Sequence, residues 1–374
     1  MKSRVVNFLK KQKAAIVAHR TNCTGKTLPG RFLVIESDDW GAIRTPSRHA
    51  LEAFEKRGLD LANSAYKNDS LASNEDLDEL FNVLQSIRDG KGNPVKITAN
   101  AIMVNPDFEK IRASNFTKFY FEDFRETLQK YPAHDKAFSI WQQGITNGVF
   151  MPQFHGREHL QYNRWLKVLQ AGNKDALYCF DQGTTYSGKG DYSFMEAYDW
   201  DHPGDVEEHK KIIAEGLFLF KNVFGFASKS FIAPCYNWDP EIEGVLKSNG
   251  VRWLQGLRNQ MVPTGSFDHY TILPHYFGEV NQLGLKYNIR NCFLEPSLLP
   301  GKDWVDSCLA QIQSAFFWRR PAVICSHRIN YIGLIDQRNR DRGLRDLKIL
   351  LQRVQKKWPD VQFISTDQLD DVLT

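Results

Sequence analysis

Residues 31–41 read RFLVIESDDWG and carry the strongest signal for the fold in the sequence. The apolar run that starts at Phe32 has the length of a buried strand, and an Asp-Asp pair follows closely behind it. Six further runs of this kind occur along the chain, at 95–103, 149–154, 230–233, 251–254, 322–326 and 361–364. We therefore expect seven short buried strands, the first of which ends beside two carboxylates.

Helical periodicity occupies most of the intervals between these runs, at 77–88, 157–170, 207–224, 240–248, 304–318 and 344–358. Alternating strands and helices predict an α/β fold with parallel pairing. The number of units favours a single-domain, distorted or incomplete (β/α) barrel of seven strands over an open sheet, spanning residues 30–374. Helical insertions are expected at about 105–148 and 174–204, and a helical extension at 1–29.

The composition is that of an ordinary globular protein, with 42% hydrophobic and 25% charged residues. The net charge of +4 comes without a concentrated basic surface, which argues against nucleic acid as a partner. Aromatic residues make up 13% of the chain and suit sugar rings as well as a core, the core being the commoner use.

Targeting signals are not evident in the sequence. Six scattered cysteines without a CxxC pair indicate reduced thiols and a cytoplasmic location. No run approaches the roughly 18 apolar residues of a membrane span, and the N-terminus lacks the apolar core of a signal peptide. The first 13 residues can form a basic amphipathic helix, more commonly a surface helix than a membrane anchor.

Three strand ends carry residues suited to hydrolysis. Asp38 and Asp39 follow the first strand, so one carboxylate can bind a cation while the other reaches a substrate water. His155 and His159 have the i, i+4 spacing that shares a helix face and can ligate one metal ion. His327 ends a later strand, where a general acid would face the metal. Each signal alone is weak, but together they predict a metal hydrolase site.

These residues resemble the polysaccharide deacetylase family with the NodB homology domain, carbohydrate esterase family 4, and its divergent "polysaccharide (de)acetylase" branch. Asp38-Asp39 matches the family's paired Asp, and His155–His159 matches its His-x-x-x-His signature. The run 231–236 (FIAPCY) is similar to the family's strand with a proline and an aromatic residue, and His327 ends a similar final strand. The resemblance covers roughly residues 30–370, apart from the two insertions.

The resemblance implies a glycoside hydrolase/deacetylase-like barrel and a role for each matching residue. Asp38 would be the general base and His327 the general acid, while Asp39, His155 and His159 would hold a divalent metal. Zinc is the first expectation, and nickel, cobalt or iron suit the same ligands. A metal-activated water would attack the acetyl carbonyl, and a backbone amide near Tyr236 would help to hold the oxyanion.

Two departures from the family pattern stand out. The family usually has Arg before its proline motif, where it pairs with the catalytic Asp, whereas this chain has Ile232. We expect Arg290 or Arg328 to supply that guanidinium, ahead of Arg252. A Trp follows the Asp pair where Gly is usual, so an aromatic side chain is expected to line the sugar site. The substrate-binding candidates are Trp40, Tyr236, Trp238 and Trp253. Glu295 follows a strand-like run and is more readily explained as a capping residue than as a site residue.

The predicted function is removal of N- or O-linked acetyl groups from a glycan or sugar intermediate, with carbohydrate as the partner. The alternatives are a related amide hydrolase or glycosidase on the same barrel, and a degenerate, non-catalytic glycan-binding protein. The last alternative is motivated by Ile232. Oligomeric state is not predictable from these features.

Overall fold

The computed structural model describes residues 2–59, 64, 66–186, 194–266 and 269–373, and for residues 2–11 the backbone alone. Part of the predicted insertion at 174–204, residues 187–193, lies outside the described residues. The helices are α1 Lys2–Asn22, α2 Arg48–Arg57, α3 Asn74–Gln85, α4 Phe108–Ala113, α5 Phe124–Gln129, α6 Ala137–Thr146, α7 Tyr162–Gln170, α8 Lys174–Asp181, α9 Asp205–Phe224, α10 Glu243–Ser248, α11 Trp304–Phe317, α12 Gln337–Lys357 and α13 Leu369–Val372. The strands are β1 Phe32–Trp40, β2 Ile97–Ile102, β3 Val104–Pro106, β4 Phe121–Asp123, β5 Phe150–Gly156, β6 Ser230–Phe231, β7 Trp253–Gly256, β8 Asn259–Pro263, β9 Tyr270–Pro274, β10 Lys286–Ile289, β11 Cys292–Phe293, β12 Ala322–His327 and β13 Gln362–Phe363.

The main sheet has the order β10-β7-β6-β5-β2-β1-β12-β11, and β13 pairs with β1 beside this path. Its strand pairings are parallel, which confirms the predicted parallel β/α architecture. Two small antiparallel pairs, β3–β4 and β8–β9, lie outside this sheet. All nine residues of β1 are buried, as expected for a strand covered on both faces.

The two edges of the main sheet are joined by one extended segment. β10 and β11 stand at opposite ends of the strand order, yet only Arg290 and Asn291 separate them in the chain. The N–H of Arg290 donates to the carbonyl of Gly256 on one edge (2.8 Å), and the N–H of Asn291 donates to that of Val323 on the other (3.1 Å). Residues 286–293 therefore act as one strand position in a ring of seven, which confirms the predicted distorted barrel.

Some details of the predicted strands differ from the structure. The seventh position of the ring is the segment 286–293, whereas the predicted strand at 361–364 became β13, which pairs only with the first two residues of β1. The reason is that residues 286–293 are partly polar and lack the continuous apolar pattern used to find the other strands. The predicted helical insertion at 105–148 contains three α-helices, α4 to α6, together with most of the β3–β4 pair.

Helices pack closely behind the strands that carry the candidate site. α9 approaches β5 so tightly that a Cβ added to Gly216 would lie 2.6 Å from the Phe154 ring. A helix cannot come this near a strand unless the residue at the contact lacks a side chain. The contact fixes the strand that ends in His155 and Gly156. In the part of the chain that the structure describes, no helix is long and apolar enough to cross a membrane.

Candidate active site

Strand β1 delivers two neighbouring carboxylates to different places because its backbone kinks between them. Asp39 has φ of 72°, a left-handed conformation that costs energy for a residue other than glycine. The register between β1 and β2 shifts at the same point, between Ser37 and Trp40. As a result, Asp38 faces Arg290 while Asp39 faces a pair of histidines.

Asp39, His155 and His159 bring three possible ligand atoms together. The Oδ1 atom of Asp39 lies 3.4 Å from Nε2 of His155 and 3.3 Å from Nε2 of His159. Nδ1 of His155 donates to the carbonyl of Ile232 at 2.9 Å, which leaves its Nε2 lone pair toward Asp39. Oδ1 of Asp39 is buried, and within the described part of the chain it accepts no well-directed hydrogen bond. A buried carboxylate oxygen of this kind between two imidazoles fits a divalent transition metal.

The two histidines do not share a helix face, contrary to the prediction. His155 lies in β5, His159 lies in the irregular segment that follows, and α7 begins only at Tyr162. Gly156 between them has φ of 150°, which turns the chain sharply at the strand end. The i, i+4 spacing therefore brings the two histidines together through a strand followed by a turn. The helix predicted at 157–170 begins five residues later in the structure, at Tyr162.

Arg290 is the guanidinium that pairs with Asp38. Its Nη1 and Nη2 atoms donate to the two carboxylate oxygens of Asp38 at 2.6 Å each, and its Nε donates to Glu36 at 2.7 Å. Asn100 adds a 2.7 Å hydrogen bond to Asp38. Burial acts to raise the pKa of Asp38, but Arg290 lowers it to about 2. Asp38 is therefore ionised throughout the physiological range.

The other candidate arginines lie elsewhere. Arg328 is fully buried and donates to Asp69 (2.6 Å) and to the carbonyl of Ala42 (2.6 Å), and Arg252 forms a 3.4 Å surface ion pair with Asp370. Arg328 therefore supports the wall of the site without contacting Asp38, which corrects its predicted pairing.

His327 stands beside Asp38 and is held by Glu295. Its Nε2 lies 3.8 Å from Oδ2 of Asp38, and its Nδ1 lies 2.7 Å from Oε1 of Glu295. Asn330 donates to the other oxygen of Glu295 at 2.7 Å. Burial disfavours the charged imidazole, but the Glu295 carboxylate raises the pKa of His327 well above its usual range. Glu295 is thus a partner of His327 and not only a capping residue.

Glu295, Cys325 and His327 also lie close enough to share an ion. The hydrogen bond between Glu295 and His327 already uses one ligand atom of each. Nη1 of Arg290 lies 3.5 Å from the sulfur of Cys325, and burial raises the pKa of that thiol. A protonated thiol next to a guanidinium is a poor metal ligand, so we interpret this group as a hydrogen-bonded dyad with a thiol beside it.

The site residues line one cavity of about 190 Å³. The lining combines carboxylates and histidines with apolar side chains. The lining consists of Asp38, Asp39, Asp69, His155, His159, Met195, Ala233, Cys235, Tyr236, Leu298, His327 and Ile329. The sequence pattern did not indicate Asp69, Met195 or Leu298, because they lie in loops without periodicity.

Tyr236, a candidate substrate-binding residue, lines the cavity from a strained turn. Cys235 and Tyr236 have φ values of 56° and 59°, and the Tyr236 hydroxyl accepts a hydrogen bond from Arg290 at 3.1 Å. The N–H of Tyr236 donates to the carbonyl of Ala233 at 3.0 Å. A backbone amide that binds an oxyanion in this turn therefore has to come from a neighbouring residue.

Three tryptophans that the sequence suggested for substrate binding are core residues. Trp40, Trp238 and Trp253 are 1%, 2% and 0% exposed, and none of them lines the cavity. Their indole N–H groups donate inside the protein, to Ser37, Glu243 and Asp370 respectively. The predicted sugar contacts are therefore wrong for these three residues. Trp40 and Trp253 lie in buried strands of the main sheet, and Trp238 packs into the same hydrophobic core from the segment that follows Tyr236.

Arg44 is a second buried cation of this region, next to the candidate metal ligands, and the sequence pattern did not indicate it. Its Nη2 lies 3.1 Å from Oδ1 of Asp39, and its Nε lies 3.0 Å from Oδ2 of Asp69. Burial acts to raise the pKa of Asp39, but Arg44 and the neighbouring groups lower it well below its usual range. The buried His159 has a lowered pKa because burial and Arg44 both disfavour its charged form. It is therefore a neutral imidazole, which a metal requires.

Comparisons with known proteins agree with the barrel. No protein-family model matches the sequence, and no curated protein matches it either. A protein provisionally assigned as a glycoside hydrolase/deacetylase from Parabacteroides distasonis has a TM-score of 0.51 and 8% identity, over 93% of this chain and 72% of that one. A provisionally assigned polysaccharide deacetylase from Mycobacterium smegmatis has a TM-score of 0.47 and 14% identity, over 94% and 91%. A 4-alpha-glucanotransferase from Thermococcus litoralis has a TM-score of 0.47 and 9% identity, over 92% and 40%. The first of these three, whose TM-score exceeds 0.5, shows that this chain has the glycoside hydrolase/deacetylase fold, the distorted barrel that its resemblance to polysaccharide deacetylases implies.

Proposed function

We propose that this protein is a metal-dependent hydrolase that removes acetyl groups from a glycan or sugar intermediate. The observation that carries the proposal is the convergence of the Nε2 atoms of His155 and His159 on the buried Oδ1 atom of Asp39. Asp38 and His327 flank this point in the same cavity. A carboxylate, a protonated imidazole and a metal ligand set are the groups that acyl hydrolysis by water requires.

Asp39, His155 and His159 would hold the metal, and we propose zinc, with nickel, cobalt or iron suiting the same donors. A divalent ion in such a site polarises the acyl carbonyl and lowers the pKa of water. Asp38 is ionised and accepts the proton of the attacking water. Arg290 fixes the carboxylate in place through two hydrogen bonds of 2.6 Å, which keeps the accepting oxygen oriented.

His327 donates its proton to the leaving nitrogen or oxygen. The raised pKa of this histidine keeps it protonated at neutral pH, and its 28% side-chain exposure leaves it accessible to a substrate. We assign the backbone contact to the oxyanion to the amide of Cys235, a cavity residue in the left-handed turn next to Tyr236, because the Tyr236 amide is already donated within the protein.

A non-catalytic glycan-binding protein is the weaker alternative. It was motivated by Ile232, which takes the place of an arginine that would orient the base. Arg290 forms that contact from the segment that joins the two edges of the sheet, so the motivation no longer applies. A related amide hydrolase shares the same donor set and is separated from a deacetylase by its product.

The first test compares the metal content of the wild type with that of His155→Ala, purified identically. We expect about one equivalent of a divalent metal in the wild type and its loss in the variant, since one of three protein ligands is gone. His49→Ala, at an exposed position, is the matched control and should retain the metal. A wild type that binds no ion after reconstitution contradicts the proposal.

The second test measures acetate released from a panel of N-acetylated and O-acetylated sugars. Wild type reconstituted with metal should release acetate, and His155→Ala should not. Turnover without acetate would favour the amide hydrolase. Acetate release that persists in His155→Ala would contradict the assigned metal site.

A further inference from the structure

Arg44 is a cation placed directly behind the metal ligand set. Its side chain is 3% exposed and lies between two carboxylates, 3.1 Å from Asp39 and 3.0 Å from Asp69. It does not line the substrate cavity, and it borders a separate small recess together with His159. Arg44 is therefore positioned to act on the ligands and not on a substrate.

The contacts of Arg44 differ in kind from those of the other buried arginines. Arg290 donates to both oxygens of Asp38 at 2.6 Å, and Arg328 donates twice to Oδ1 of Asp69, at 2.6 and 3.2 Å. By contrast, Nε and Nη2 of Arg44 make no well-directed hydrogen bond. Arg44 is thus shared between Asp39 and Asp69 without being well aligned to either.

The oxygen that Arg44 approaches is the one that faces the metal site. Oδ1 of Asp39 lies within 3.4 Å of the Nε2 atoms of His155 and His159 and within 3.1 Å of Arg44. A divalent ion held by this oxygen would stand a few ångströms from a buried guanidinium. Like charges repel strongly at that separation when water is excluded. The guanidinium also competes with the ion for the same carboxylate.

Resting on the proposed metal site, we infer that Arg44 is a positioning residue that lowers the affinity of the Asp39–His155–His159 site for divalent ions. Asp69 limits this effect because its carboxylate draws the guanidinium away from Asp39. Arg44 and Asp69 together therefore set how strongly an ion must bind the three donors in order to occupy the site. Ions that bind nitrogen donors weakly, such as Mn²⁺, fall below this strength, whereas Zn²⁺ exceeds it.

The test is titration of the metal-free full chain with Zn²⁺ and with Mn²⁺ against a competing chromophoric chelator. Arg44→Gln removes the charge, so we expect Zn²⁺ to bind about tenfold more tightly or better, and Mn²⁺ binding to become measurable. Arg44→Lys keeps the charge, so its affinity for Zn²⁺ should stay within a few-fold of that of the wild type. If Arg44 had only a structural role, the change in Zn²⁺ affinity would not depend on whether the substituted side chain keeps the positive charge.

Asp69→Asn provides an independent variant with the opposite sign. It leaves Arg44 without its second carboxylate, so we expect Zn²⁺ affinity to fall by about tenfold. Circular dichroism and thermal unfolding establish that each variant is folded, and if one is not, the other decides. Weaker or unchanged Zn²⁺ binding in Arg44→Gln would overturn the inference, as would unchanged or tighter binding in Asp69→Asn.

The outcomes separate this inference from the proposed function. If His155→Ala loses the metal while Arg44→Gln gains no affinity, the site stands and the role of Arg44 falls. If the wild type binds no divalent ion under any condition tested, both fall together.

Discussion

Asp38 and His327 are register partners on the neighbouring parallel strands β1 and β12. The proposed base and acid are therefore fixed relative to each other by the backbone ladder, and their side chains approach to 3.8 Å. Each has a buried partner of opposite charge, Arg290 for Asp38 and Glu295 for His327. The pairing keeps the two groups in opposite charge states, which is the arrangement that a base and an acid in one reaction require.

The first prediction concerns Glu295→Gln, which removes a charge while keeping an oxygen next to His327. Burial disfavours protonated His327 and Glu295 raises its pKa, so the substitution should lower that pKa. The high-pH limit of acetate release should then move to lower pH. An NMR titration of the His327 ring and a pH profile of kcat/KM measure this, and an unchanged limit in both would contradict the role of Glu295.

The same substitution has a consequence for stability with a defined sign. A histidine whose folded pKa is raised stabilises the fold fully below its unfolded pKa of about 6.5, and the contribution is lost as pH rises through the folded value. Glu295→Gln should therefore destabilise the protein more at pH 5 than at alkaline pH. Urea unfolding at several pH values is the measurement.

The second prediction concerns Arg290, whose fully buried guanidinium binds Glu36 and Asp38. Arg290→Met leaves two buried carboxylates without their cation and should cost about 3–5 kcal/mol of unfolding free energy. Arg290→Lys keeps a charge but cannot form the fork of hydrogen bonds, so we expect an intermediate loss. Arg345→Met, at a side chain that is 63% exposed, should change stability by less than about 0.5 kcal/mol. Equal effects at the two positions would contradict the structure.

The third prediction separates core tryptophans from the aromatic residue at the cavity. Trp40 packs edge-on against Phe150 and Trp141, so Trp40→Phe should cost about 1–3 kcal/mol of stability and leave KM unchanged. Tyr236→Phe removes the hydroxyl that accepts from Arg290 and should change kcat with a smaller loss of stability. Chemical unfolding combined with steady-state kinetics distinguishes the two, and a raised KM in Trp40→Phe would restore the original sugar-binding hypothesis.

The fourth prediction concerns Gly343 in α12. A Cβ at this position would lie 1.7 Å from the carbonyl oxygen of Asn330, and Asn330 donates to Glu295. Gly343→Ala should therefore cost about 3 kcal/mol of stability, at the upper end for overpacking, and reduce kcat as well. Gly244→Ala in α10 meets no atom within 4 Å and should be neutral or stabilise by about 0.5 kcal/mol. Thermal unfolding of both variants provides the comparison.

The sequence indicated those site residues whose local pattern carries a signal. Asp38, Asp39 and His327 follow continuous apolar runs, and a buried parallel strand ending in polar residues is recognisable in one dimension. Glu295 and Asp69 could not be assigned, because their roles depend on which strands and loops meet in space. Arg290 was one of three candidates, and only the joining of the sheet edges singles it out.

Other predictions were wrong for a different physical reason. His155 and His159 have a spacing that both a helix and a strand followed by a turn can satisfy, and the glycine between them decides for the turn. The buried tryptophans have the same residue type as a sugar-binding platform. Which of the two uses applies depends on where the tertiary structure places the ring, and residue type does not show that.

The segment 286–293 also affects how the protein avoids aggregation. An open parallel sheet presents two rows of unpaired N–H and C=O groups, to which strands of other molecules can add. Here the first half of the segment covers one row and the second half covers the other. Displacement of the whole segment from the sheet would expose both rows at once. Such a molecule would be prone to intermolecular strand pairing even if every helix remained folded.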